Sequence, residues 1–313
     1  MIRRKLNDVH SDTLRRITSY ASMAVAIILI LSKLVAYYAT DSIAMLSSLV
    51  DSSIDLLASG ITAFGIARAL LPPDRDHRFG HGKAESLAAL AQAAFIIGSS
   101  ALLSIEAVNR FVSPKPIENQ GVGYVVMGLA IGLTAVLLLL QTYTVRRTKS
   151  LAIAADRLHY VGDIAINLAV VATLAIQKMA NQTWIDPAFA LGIAAIMCYG
   201  AIRIFKTSMN VLMDSELPEK DREAILALTR TVSGVLGVHD LRTRTDSGHP
   251  IVEIHVEMAA TITLKKSHDI AEAVMARIEA AYPGADILVH QDPAGIEEKR
   301  LDLLIEKNDP PKK

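Results

Sequence analysis

The sequence predicts a bundle of six membrane-spanning α-helices followed by a small cytoplasmic α+β domain of order αββαβ. Three observations lead there. The 313 residues are 51% hydrophobic and only 20% charged, greasier than an ordinary soluble domain. Apolar runs long enough to cross a hydrocarbon core recur along the first two thirds of the chain. After Asp214 the composition turns to that of a soluble domain, with helical and alternating patterns in succession.

The apolar runs lie at roughly 14–39, 43–70, 84–112, 120–145, 152–178 and 185–210, each able to supply the ~20 helical residues a bilayer requires. Residues 1–13 form a basic cytoplasmic segment, and the run after it is too long for a signal peptide and lacks a small-residue cleavage site. Residues 14–210 are therefore the transmembrane domain. Arg3, Arg4, Lys5, Arg15 and Arg16 precede the first span; Arg75, Arg78 and Lys83 follow the second; Arg146, Arg147 and Lys149 follow the fourth. The opposite loops hold only Lys115 and Lys178. Positive loops stay inside, so both termini face the cytoplasm.

Residues 211–296 read as a separate cytoplasmic domain. A helical pattern over 218–232 follows a Pro start, and GVLGVHDLRTRT reads as a strand after a glycine turn. IVEIHVEM alternates apolar and polar residues, the mark of a half-buried strand. SHDIAEAVMARIEAAYPG is an amphipathic helix with a Pro-Gly stop, and ADILVHQDP closes with a strand. Residues 297–313 form a charged, flexible tail in which LDLLIEK could make a short helix.

Charge and cysteine content exclude several function classes. Lys plus Arg and Asp plus Glu both total 32, so no excess of positive charge points to nucleic acid. A single cysteine, Cys198, rules out an intramolecular disulfide or a multi-cysteine zinc knuckle. No HExxH motif is present, which argues against a membrane metalloprotease and any enzyme of that kind.

What the bundle carries instead is acid. LVDSSIDLLASG places Asp51 and Asp55 four residues apart, on one helix face. LHYVGDI places His159 and Asp163 four apart on the fifth span. A lone intramembrane Asp can be a cap or a structural hydrogen bond, but two such pairs on separate spans call for a counter-charge. Three carboxylates and one imidazole make a tetrahedral set suited to zinc or a similar divalent metal. Protonation competes with ligation, so the same residues can exchange metal for protons.

Two further clusters stand outside the spans. Asp74, His77 and His81 share the loop PPDRDHRFGHGKAES, which reads either as a three-ligand metal site or as a solvated charged loop. His239, His255, His268, His290 and Asp292 are scattered over the cytoplasmic domain, where strands can bring distant positions together. They form a binuclear site bridged by Asp292, or they are surface histidines.

LVDSSIDL, HRFGHGKAESLAAL, LHYVGDI, GVHDLRTR, IHVEM and VHQDP occur in the order seen in the cation diffusion facilitators. Over residues 14 to 293 the chain resembles the bacterial zinc and ferrous-iron efflux pump branch of that family. The resemblance implies an inner-membrane homodimer with a metallochaperone-like cytoplasmic domain, exporting metal by alternating access against inward-moving protons. It assigns the transport site to Asp51, Asp55, His159 and Asp163, and the two further sites to the loop and cytoplasmic residues just named. Zinc would be both cargo and a structural or regulatory metal. Asp51 is an oxygen ligand where zinc-selective relatives often carry His, so cadmium and ferrous iron are alternative cargo. Lys83 and Asp214 match a charge pair near the dimer interface. A membrane metal sensor that binds without transporting is the alternative function.

Overall fold

The computed structural model describes residues 2–40, 43–112, 121–180, 184–246, 248–296 and 300–308. It divides into two compact units, Met1–Met209 and Asn210–Lys313.

The first unit is built of long helices: α1 (Ile2–Thr40), α2 (Ile43–Ala69), α3 (Lys83–Val112), α4 (Gly121–Thr148), α5 (Leu151–Ala180) and α6 (Ile185–Leu212). Among the described residues, α1, α2, α3, α4 and α6 are long and apolar enough to cross a membrane. α5 is as long, with 30 residues, but carries Asp156, Arg157 and Asp163 in its first half. Helix α1 begins earlier than the apolar run does, because residues 2–40 contain neither Pro nor Gly to stop it. Most of the expected N-terminal segment is thus helical. At the other end of α2, Pro72 and Pro73 follow the last turn, and Gly80 takes a positive φ of 95° in the loop before α3.

Helix packing relies on small residues and on hydrogen bonds. Gly65 on α2 faces Ala88 on α3 so closely that an added Cβ would lie 2.3 Å from the Ala88 Cβ; such contacts are the usual way membrane helices approach. Ile66, Ala88, Ala89, Ala152, Ile153 and Ala155 then bury one another where α2, α3 and α5 meet. Beside them runs a polar network. Ser59 Oγ donates to Asp156 Oδ1 (3.1 Å) and Gln141 Nε2 to Asp156 Oδ2 (2.8 Å), while Gln141 Nε2 also reaches Ser22 Oγ at 3.1 Å. α1, α2, α4 and α5 are tied together by these bonds. Arg15 on α1 pairs with Glu85 on α3 at 3.3 Å and donates to the Thr148 carbonyl at 3.2 Å.

The second unit holds α7 (Glu219–Arg230), β1 (Gly237–Asp246), β2 (His249–Met258), α8 (Leu264–Ala281), β3 (Asp286–Pro293) and α9 (Leu301–Asn308). The order αββαβ is the one expected. The sheet runs β1-β2-β3, with β1 antiparallel and β3 parallel to β2. Alternation along β2 sends Val252, Ile254, Val256 and Met258 into a core shared with Ile225 of α7 and Ile270, Ala271, Val274 and Ile278 of α8. Glu253, His255 and Glu257 belong to the opposite face. Helix α9 falls on LDLLIEK, the stretch of the tail where a short helix was expected. It forms because the Asp240 carboxylate accepts its first amides, from Leu301 (3.1 Å) and Asp302 (2.7 Å).

Candidate metal centres

In the helical unit the fold brings three of the four expected ligands together. Asp55 on α2 and His159 on α5 meet with Oδ1 and Nε2 2.9 Å apart, and Asp163 Oδ2 lies 3.7 Å from the same nitrogen. Ligand atoms of all three fall within 4.8 Å of one another. His159 is largely buried, with its ring edge-on to Phe95 and to Tyr160. Asp51 sits one turn before Asp55 on the same helix but is exposed and outside the three-residue cluster. Its spacing aligns it with the cluster; its side chain does not close on it.

The sequence reading missed a neighbour. Lys33, inside the span Ser11–Ala39 of α1, donates to Ser52 Oγ (2.6 Å) and to the Ser48 carbonyl (3.1 Å) on α2. It lies in electrostatic range of Asp55, Asp51 and Asp163. A lone lysine in an apolar span is itself the signal that could have found it. Asp156, fully buried one turn before His159, was missed as well.

The loop cluster is shaped by its own backbone. Asp74 Oδ1 accepts the amides of Asp76 (3.0 Å) and His77 (2.7 Å), an Asx turn. Those amides, that of His77 first, hold the Asp74 carboxyl below the usual range. His77 Nδ1 lies 3.2 Å from Oδ1 and His81 Nε2 3.2 Å from Oδ2. The rings of His77 and His81 are 4.5 Å apart. His81 Nδ1 is buried with no hydrogen-bond partner. An acceptor-rich set with an orphaned nitrogen suits a cation.

In the second unit strand register does the gathering. His239 on β1 pairs with His255 on β2, and His255 with His290 on β3. The three rings line up at 5.1 and 4.4 Å. Asp292, two residues past His290 and therefore on the same face, places Oδ2 2.9 Å from His255 and 3.6 Å from His239, and Oδ1 3.0 Å from His290. His239 Nδ1 is buried with no hydrogen-bond partner. Glu257 Oε1, 3.6 Å from His239, and Asp240, 3.8 Å from it, are additions that the sequence did not suggest. The donor set, three imidazoles around one carboxylate, fits a divalent metal. His268 does not join. α8 turns Ile270, Ala271, Val274 and Ile278 toward the sheet and leaves His268 exposed, outside these clusters.

Of the expected charge pair, Lys83 opens α3 in the first unit, and Asp214, at a φ of 55°, faces Arg244 at 3.6 Å in the second.

Comparison with known proteins decides the family. The model of the cation efflux transmembrane domain matches residues 19–213, and that of the cation efflux protein cytoplasmic domain matches 217–294. This chain belongs to the cation efflux family. The cation-efflux pump FieF of Yersinia enterocolitica is 39% identical over 276 residues, 88% of this chain and 92% of the relative. FieF of Shewanella oneidensis is 40% identical over 282 residues, 90% of this chain and 95% of the relative. Among solved structures, the Zn form of CzrB is 25% identical with a TM-score of 0.26, covering 28% of this chain and 99% of its own. The cadmium form of a MamM C-terminal domain is 25% identical with a TM-score of 0.23, covering 24% and 95%. As a cation efflux protein the chain is a multi-span membrane transporter and not an enzyme, as its sequence resemblance implied.

Proposed function

We propose that this cation efflux protein is a divalent transition-metal/proton antiporter of the inner membrane, exporting zinc from the cytoplasm by alternating access, with cadmium and ferrous iron as alternative cargo. The observation that carries this reading is the meeting of Asp55, His159 and Asp163, from two helices of an apolar bundle, with ligand atoms within 4.8 Å of one another. Three O/N donors from rigid helices make an open tetrahedral set. Asp51, one turn away on α2, supplies the fourth ligand by a rotamer change when cargo arrives. Each ligand must be deprotonated to bind, so metal entry displaces protons and proton entry displaces metal. Oxygen-rich ligation keeps the site open to several divalent metals.

In the same proposal Asp74, His77 and His81 form a loop site, and His239, His255, His290 and Asp292 hold structural or regulatory zinc in the cytoplasmic domain. The chain works as a homodimer joined through that domain, with both termini cytoplasmic. Zinc uptake into proteoliposomes loaded with a pH-sensitive dye tests the exchange. Antiport requires zinc flux and proton counter-flux that both vanish in Asp55→Ala. A sensor that binds without transporting would bind zinc in detergent yet give no flux from the wild-type protein.

A further inference from the structure

We propose that Lys33 is a tethered counter-cation of the transport site, setting its net charge at the value that one divalent cation neutralises. This rests on the site reading above. Lys33 lies inside the span Ser11–Ala39, where an ammonium is costly unless it is paired or serves a pathway. Its Nζ is held on α2 by Ser52 Oγ at 2.6 Å and the Ser48 carbonyl at 3.1 Å. These anchors bracket Asp51 and stand one and two turns before Asp55, so the stretch that carries the carboxylates also carries the seat of the ammonium. An ammonium has three donors, and the two anchors leave one for a carboxylate. Asp55, Asp51 and Asp163 all lie within its electrostatic reach.

Charge arithmetic gives the arrangement its meaning. Metal ligation requires Asp51, Asp55 and Asp163 deprotonated and His159 neutral, so in the ligating state three carboxylates and the Lys33 ammonium sum to −3 + 1 = −2. One divalent cation brings the site to zero; a monovalent cation leaves it negative and a trivalent one makes it positive. In a low-dielectric bundle each uncompensated charge is expensive. Selection by valence thus comes from a lysine that ligates nothing. Lys33 also supplies part of the attraction the cargo must outcompete, so it lowers affinity and speeds release.

The test is zinc flux in proteoliposomes, which reads the membrane site alone. Lys33→Gln keeps a donor for the serine anchors and removes the charge. The KM for zinc should fall on the order of tenfold, with a lower maximal rate. Tb³⁺ should inhibit wild-type flux weakly and Lys33→Gln flux strongly. Lys33→Arg should behave as wild type in all three readouts. A helix staple without electrostatic function would leave the KM and Tb³⁺ sensitivity of Lys33→Gln within twofold of wild type, and that result overturns the proposal. Lys33→Met repeats the measurement if the Gln variant does not fold. Failure of both neutral variants to fold while Arg folds would assign the charge to assembly and overturn it too. Unaltered flux in Asp55→Ala would instead bring down the site reading itself. Loss of flux there with an unaffected Lys33→Gln would remove only the lysine's role.

Discussion

Removing the Asp240 side chain should free helix α9. That carboxylate accepts the Leu301 and Asp302 amides, at 3.1 and 2.7 Å, and it does so from β1, sixty-odd residues away in sequence. Loss of a helix cap costs about 1 kcal/mol, in a range of roughly 0.5–2; the charge on this cap, facing the helix N-terminus, favours the upper half. With only eight residues, α9 has no means of persisting alone. A loss of about 1–2 kcal/mol multiplies the undocked population by roughly 5 to 30. Hydrogen exchange on the full-length protein in metal-free buffer measures that population directly. In Asp240→Ala, amides of 301–308 should exchange about 5 to 30 times faster, while those of α8 around Val274 stay as they were. Asp240→Asn, still an acceptor but uncharged, should fall between. Equal protection of α9 in wild type and Asp240→Ala would refute the capping argument.

Four other outcomes are expected. Asp55→Ala, His159→Ala and Asp163→Ala should each abolish zinc flux in proteoliposomes without disturbing the elution volume of the purified protein, because each removes one of the three side chains whose ligand atoms meet. Asp292→Asn should lower the zinc bound per chain by equilibrium dialysis and erase the zinc-dependent rise in melting temperature, since its two oxygens face three imidazoles. Gly65→Leu should destabilise the helical unit by about 1–3 kcal/mol, read as an earlier thermal transition in detergent, because its Cβ would collide with Ala88. Acid should undock α9. Its Asp302 carboxyl is lowered to about 2, chiefly by the Arg300 guanidinium. A depressed folded-state pKa gives stability that is present above the ordinary carboxyl value near 4 and lost as pH falls through the folded one, so α9 protection should drop between about pH 4 and 2 and stay flat above pH 5.

The sequence was most legible where periodicity alone decides geometry. Asp51 with Asp55 and His159 with Asp163 stand out because four residues make one helical turn, and the strands of the second unit show as alternation along IVEIHVEM. What periodicity leaves open is rotamer and register. Asp51 shares the face of Asp55, yet its side chain stays outside the cluster. The alignment of His239, His255 and His290 depends on which residues pair across strands, and Glu257 joins them through that same pairing. Asp240 reaches α9 because β1 breaks register after His239, and its φ of 46° lies in the left-handed region; no composition rule foretells such a bulge. His268 was misplaced for the opposite reason. It sits on a helix whose apolar stripe was visible, and that stripe settles which way the remaining side chains face. Lys33 escaped because one lysine among aliphatic residues gives no sign of a partner in its own segment; the groups that hold it, Ser48 and Ser52, are on another helix.

In the proposed loop site, the turn at Asp74 bears on how quickly, rather than how tightly, an ion is taken up. Oδ1 is committed to the amides of Asp76 and His77, and Oδ2 points toward His81. One carboxylate therefore does two jobs at once, holding the backbone in shape with one oxygen and presenting the other. A loop shaped in advance spends little conformational entropy when an ion arrives. Its capture rate then follows the stripping of water from the ion and not the folding of the chain, and ions that shed water slowly, such as magnesium, are disfavoured by tempo even where they are abundant.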